Sequence, residues 1–163
     1  MTITSNHVYF FISYAVAFIA FVTIAKLYLW PAIAAREART ALTPLLLYAC
    51  LRVNGLMFLM PGLVAADLPG AFAVPVAFGD LTAVVLALLA LAALRWELGI
   101  ARGAVWLFNL EGTADLVYAN IATFTAHVDP AALGVSYYLA VINVPLMLIV
   151  HGMVFIYLVR NWR

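Results

Sequence analysis

The chain has 163 residues, of which 68% are apolar and 9% charged, and its formal net charge is +1. A soluble domain carries roughly half apolar and a quarter charged residues, so the composition excludes one and points to an integral membrane protein. The near-neutral balance excludes a basic face for nucleic acid. The single cysteine, Cys50, lies in an apolar run, has no intramolecular disulfide partner and reads as a small buried residue. No Cys/His spacing suggests a metal or catalytic centre, so no metal and no cofactor are expected.

Five apolar runs are long enough to cross a bilayer, which takes about 20 helical residues. They cover 8–30, 42–65, 73–95, 103–126 and 134–159. Bare backbone polar groups are not tolerated in lipid, so each run is predicted as a helix. Period-two alternation is absent, which argues against a barrel. The stretch MTITSNH has no Lys or Arg, and the apolar run after it is too long for a signal-peptide core, so a retained first helix is expected. The connections are short: an amphipathic segment at 31–41, ADLPGAF at 66–72, a turn at 96–102 and HVDPAAL at 127–133. The expected architecture is a single all-α domain over 1–163, a polytopic bundle of five transmembrane helices.

Lys26, Arg36 and Arg39 flank the first connection, Arg95 and Arg102 the third, and Arg160 and Arg163 the end of the chain. The amino terminus and the second and fourth connections have no Lys or Arg. The positive-inside rule then gives N-out and C-in. Trp30, Trp96, Trp106 and Trp162 fall at the same, cytoplasmic boundary, as interfacial anchors do. Small residues such as Ala15, Ala17 and Ala20 on the first run and Ala83, Ala87 and Ala90 on the third suit close helix packing in lipid. Pro61 and Pro145 free the carbonyls of Met57 and Val141 and mark kinks.

Four ionisable residues lie inside these runs: Arg52, Asp80, Glu111 and Asp115. A charge at membrane depth costs a few kcal/mol at least and usually faces a partner, a cavity or a pathway. At about 1.5 Å per residue, all four lie near the midplane, and His151 joins them from the fifth run. Glu111 and Asp115 are four residues apart and share a helix face. One guanidinium that keeps its proton against three acids leaves two negative charges in excess. Protonation, a bound cation or a watered cavity must remove them. Asn54 and Asn109 extend the set, with Tyr48, Thr82, Thr113, Asn120 and Asn143 as further donors. Gly112, in the most polar run, allows close approach of a helix or ligand. The competing reading is an interhelical ion pair that only fixes the register of the bundle, contributing about 1 kcal/mol per contact.

His7 and His127 lie at the outer boundary with Asp129. They fit an exposed divalent site on paper but read more simply as ordinary polar residues. His151 is either a proton relay or a partner of a carboxylate such as Glu111. Met57, Met60, Met147 and Met153 read as packing residues rather than haem ligands.

The stretch LRVNGLMFLMPGLVAADLPGAFAVPVAFGDL (51–81) resembles small bacterial inner-membrane proteins. The last four runs resemble DoxX-like proteins over residues 45–125, with Arg52 and Asp80 at the positions of that family's Arg and acidic residue. The extra first helix departs from that plan. The resemblance implies a bacterial inner (plasma) membrane protein and quinone or thiol redox partners. The functional expectation is therefore a buried site of Arg52, Asp80, Glu111, Asp115, His151, Asn54 and Asn109. It would bind a small or amphipathic ligand or conduct protons, with Arg52 holding an anionic or carbonyl group. Beside it stand a non-catalytic subunit or assembly factor of a larger membrane complex, or a homo-oligomer. A membrane enzyme acting on a lipid or quinone comes last, because no nucleophile or cofactor signature is present.

Overall fold

A computed structural model describes residues 4–162; Arg163 and the first three residues, which enter the charge and terminus arguments above, lie outside them. Among the described residues there is no β-strand, and five long helical segments follow one another. They are α1 (Ser5–Ile33), α2 (Ala38–Leu59), α3 (Gly70–Arg95), α4 (Ala101–Thr125) and α5 (Leu139–Arg160). Four of the five, all but α4, are both long and apolar enough to cross a membrane. The reason α4 differs is its run of polar side chains, Asn109, Glu111, Asp115 and Asn120, which lowers its hydropathy.

Helices α2 to α5 form a closed unit: α3 packs against α2 and α4, α4 against α5, and α5 against α2. Helix α1 lies outside that unit along α5 and buries only His7 and Ala25. The chain reverses at every connection. One end gathers the basic segments: Arg39 pairs with Glu97 at 3.3 Å, Tyr157 donates to the Arg36 carbonyl, and Asn161 donates to the Ala34 carbonyl. The other end joins the remaining connections. Asn6 donates to Asp129, and the backbone N–H groups of Ala65 and Val135 donate to the carbonyls of Ala132 and Leu63. Gly134 there has φ +55°, and a Cβ would meet the Leu63 carbonyl oxygen at 2.5 Å, so this turn requires glycine.

Prolines shape three of the helices. Proline lacks an N–H and its ring crowds the carbonyl four residues back. Just before Pro31 and Pro145 the helix widens by one residue into a π turn, over Ala25–Leu29 and Leu139–Asn143. The N–H groups of Trp30 and Val144 accordingly donate five residues back, to Ala25 and Leu139. Pro61 stops α2 at Leu59, short of the expected 65, and the next residue, Gly62, has φ +86°. The fifth run starts later than its hydropathy suggests. A 3-10 segment, Pro130–Ser136, comes first, and the non-helical backbone of Gly134 separates it from α5.

Helix α2 changes character halfway. It is α-helical to Ala49 and then 3-10 from Cys50 to Leu59. With three residues per turn, Arg52, Gly55 and Phe58 stack into one buried stripe.

Two apolar cores lie on either side of Arg52. The larger, at the basic end, packs Leu42, Leu46, Val105, Phe108, Met147 and Tyr157. The smaller, at the opposite end, is built on Phe58, Phe72, Val76, Val128 and Leu133.

Candidate functional site

The 3-10 turn aims Arg52 from α2 into the centre of the bundle, where 1% of it is exposed. Each of its nitrogens is taken. Nε donates to Asp80 Oδ1 on α3 at 2.6 Å, and Nη2 donates to Asp115 Oδ2 on α4. Nη1 donates to the Gly112 carbonyl at 2.9 Å and faces His151 Nε2 on α5 at 3.3 Å. One guanidinium thus ties four helices together. Charge-assisted bonds of this kind are the strong ones, and a buried arginine holds only with such partners.

Glycine makes the arrangement possible. A Cβ on Gly55 would overlap the Asp80 carboxylate, and one on Gly79 would overlap that of Asp115. A Cβ on Gly112 would lie 2.5 Å from His151 Cε1 and 2.9 Å from Arg52 Nη1. Arg52, Asp80, Asp115 and His151 therefore each sit over a glycine of a neighbouring helix.

Asn109 sets the state of His151. Asn109 Nδ2 donates to the His151 carbonyl at 3.2 Å, which leaves Oδ1 to face His151 Nδ1 at 2.8 Å. An oxygen there requires an N–H on Nδ1. Arg52 only donates, so Nε2 must present its lone pair. The pattern specifies a neutral imidazole with its proton on Nδ1, stacked on Phe108 at a centroid distance of 4.9 Å.

The structure thus gathers Arg52, Asp80, Asp115, Asn109 and His151. It does not bring in the other two residues expected there. Asn54 is exposed on the outer face of α2, because a 3-10 turn places residue 54 off the stripe of 52, 55 and 58. Glu111 is half-buried, makes no hydrogen bond, and holds Oε2 buried without a partner. His151 bonds Asn109 and Arg52 rather than Glu111. Asn120 and Asn143 are engaged by tyrosines: Tyr14 of α1 donates to Asn120 at 3.3 Å, and Tyr48 of α2 donates to Asn143 at 2.7 Å. At the outer boundary, His7 folds back on Thr4 while His127 is exposed, and no group of three metal-binding side chains forms among the described residues.

Next to Arg52, on the side away from the basic end, lies a cavity with about 50 Å³ open to the centres of water-sized molecules. A cavity needs roughly 10–15 Å³ by that measure to hold one water, so this one admits a few waters or a small head group. Asp80, Asp115 and Arg52 form its floor, and Phe10, Phe58, Phe72 and Val76 contribute to its walls. The π turn of α5 lines it through Leu139, Ala140 and Asn143, and α1 closes it with Phe10 and Tyr14. π turns inside helices are frequent at functional sites. Each carboxylate spends one oxygen on Arg52; Asp80 Oδ2 and Asp115 Oδ1 have no protein donor among the described residues.

Residues 9–159 match a family described as "Domain of unknown function (DUF8737)". The chain belongs to the DUF8737 family. The match covers every member of the Arg52 cluster and every residue lining the cavity, so both features lie within the DUF8737 region. No curated protein and no solved structure matches the chain.

Sequence reasoning missed Gly55 and Gly79. Their signal is positional: Gly55 follows Arg52 by one 3-10 turn and Gly79 directly precedes Asp80.

Proposed function

We propose that the chain is a five-span protein of the bacterial inner membrane, N-out and C-in, that binds a small amphipathic molecule in the cavity beside Arg52. The head of that molecule is a cation or a hydrogen-bond donor, such as an ammonium or a hydroxyl. The observation that carries this reading is the cavity floor. Two carboxylates share one guanidinium at the cavity floor, leaving one formal negative charge there, and neither Asp80 Oδ2, against Gly55, nor Asp115 Oδ1, against Gly79, has a protein donor among the described residues. Four of the five Arg52 N–H groups are already engaged and only one, on Nη2, has no acceptor, which argues against the expectation that its main role is to hold an anion or a carbonyl. The apolar walls suit a hydrocarbon portion.

Binding fits better than proton conduction. On the basic side of Arg52, beyond Asn109 and His151, the bundle is packed with Phe108, Val105, Met147 and Tyr157. His151, fixed as a neutral donor–acceptor link, reads as a structural member of the cluster. The DoxX likeness suggests a quinone-type partner. Of its two redox forms, the quinol, with hydroxyl donors, matches this floor better than the quinone, with two acceptors.

The test compares a long-chain alkylamine with a fatty acid of equal length on purified protein in nanodiscs. The amine should raise the unfolding midpoint and the fatty acid should not, and Asp115→Asn should remove the difference. Preference for the fatty acid, or proton flux in vesicles that Asp115→Asn abolishes, would overturn the reading.

One observation favours the accessory-subunit alternative. Helix α1 buries only two residues and leaves Ala15 exposed among large apolar side chains, where a partner helix fits closely. Co-purification of a stoichiometric partner that is lost on Ala15→Leu would establish it.

A further inference from the structure

A second recess, unrelated to the Arg52 cavity, runs between α1 and α5 at the basic end and encloses about 570 Å³. Its walls are apolar, with Phe18 and Val22 on one side and Ile149 and Ile156 on the other. Its middle is open: a Cβ on Gly152 would meet no atom within 4 Å. From Phe18 to Trp30 the groove spans about 18 Å at 1.5 Å per residue, close to the ~15 Å of one leaflet of a ~30 Å hydrocarbon core. Arg160 and Trp30 lie at the end where the helices leave the membrane, and Lys26 lies one turn deeper along α1, next to the apolar walls.

These two cations differ from Arg36, Arg39 and Arg102; Arg95 shares their lack of a partner among the described residues but does not line the groove. Arg39 is paired with Glu97, and Arg36 and Arg102 donate to backbone carbonyls. Among the described residues, Lys26 and Arg160 make no ion pair and no side-chain hydrogen bond. Lys26 sits on the π turn that Pro31 imposes, so the bend that widens α1 also places a cation at the groove.

We propose that this groove is a binding site for one anionic phospholipid, with an acyl chain along Phe18, Val22 and Gly152 and the head-group phosphate between Lys26 and Arg160. The chemistry matches on both counts. The groove is an apolar slot of leaflet length, and basic recesses between membrane helices bind anionic head groups. Lys26 reaches the phosphate by extending its alkyl stem along the groove.

The experiment is native mass spectrometry of the full chain released from micelles containing equimolar phosphatidylglycerol and phosphatidylcholine. One phosphatidylglycerol should be retained several-fold over phosphatidylcholine. Lys26→Gln with Arg160→Gln should bring the two lipids level. Gly152→Leu, which fills the slot and keeps both cations, should lower retention of phosphatidylglycerol. Arg36→Gln with Arg95→Gln removes the same charge from the same end and should leave the preference intact. Equal retention of the two lipids by the unaltered chain would overturn the proposal. So would a loss of preference as large in the Arg36/Arg95 variant, which would mean a diffuse basic belt, or full retention in Gly152→Leu.

Discussion

The two halves of the bundle on either side of Arg52 are built differently. Toward the basic end, regular α-helical turns of α2, α3, α4 and α5 close around large side chains such as Leu42, Leu46, Phe108 and Tyr157, with Ala41, Ala49, Ala87 and Ala90 letting the backbones approach. Toward the other end, α2 tightens to a 3-10 helix, α5 opens into a π turn, and aromatic rings such as Phe58 and Phe72 pack edge to face around a cavity. Regular helices with small residues tile space without gaps. Departures from the α register do not, and the cavity is where they meet. The contrast teaches that the polar cluster is both the floor of the irregular half and the roof of the regular one.

The largest expected effect comes from removing what joins the halves. Arg52→Ala leaves Asp80 and Asp115 facing each other without their common partner. Loss of one member of a buried ionic set costs about 3–5 kcal/mol, so unfolding in a mild detergent–SDS series should shift strongly, if the variant accumulates at all. Arg52→Lys should recover little, because an ammonium cannot reproduce the forked donors that reach α3, α4 and α5 at once. A variant as stable as the parent would mean that the cluster does not bind the halves together.

The halves should then respond unequally to truncation. Leu46 is fully buried in the regular core, and Leu46→Ala should cost about 2–5 kcal/mol. Leu139 is only half-buried and already borders the cavity, so Leu139→Ala should cost well under that and alter amine binding instead. Equal losses in the same unfolding series would erase the distinction.

Glycine gives a finer comparison. Gly79→Ala drives a methyl group into the Asp115 carboxylate, and overpacking of this kind costs about 1–3 kcal/mol. On α4, by contrast, a methyl group added at Gly103 would meet no atom within 4 Å. Gly103→Ala should therefore stabilise slightly, by about 0.5–1 kcal/mol, through helix propensity alone. The pair, read by unfolding midpoint, separates glycines that hold the site from glycines that do not.

Much of this was legible in the sequence because lipid removes the alternatives. An apolar run of membrane length has to be helical, and Lys/Arg placement indicated the end at which Arg39, Glu97, Arg36 and Tyr157 meet. Arg52, Asp80 and Asp115 stood out because charges at that depth need partners. What stayed hidden depended on register. An α-helical reading of α2 already turns Asn54 away from Arg52 and sets Gly55 near it, but it carries Phe58 off that face; only three residues per turn stacks all three in one stripe. The role of Asn109 was likewise hidden, since it holds His151 through the carbonyl and ring of a residue 42 positions away. Hydropathy carries no record of such pairing.

The smallest effect lies outside the membrane, at the irregular end. Asp129 accepts the Ala131 backbone N–H at 2.9 Å and Asn6 Nδ2 at 3.1 Å. The Ala131 bond first, and the Asn6 bond after it, hold its carboxyl below the ordinary value of 3.8. A group whose folded-state value is depressed contributes stability that is fully present above its unfolded value and is lost as pH falls through the folded one. Asp129→Asn should therefore lower the unfolding midpoint slightly at neutral pH, and the difference from the parent should shrink once the pH drops below 3.8 and continues down. The same tether joins α1 to the turn before α5, the two elements that border the cavity on its outer side. If the irregular half is the adaptable one, Asp129→Asn should speed amine exchange at the cavity while leaving the Leu46→Ala penalty unchanged. A change in that penalty would mean that the two halves are coupled through the outer turn and not only through Arg52.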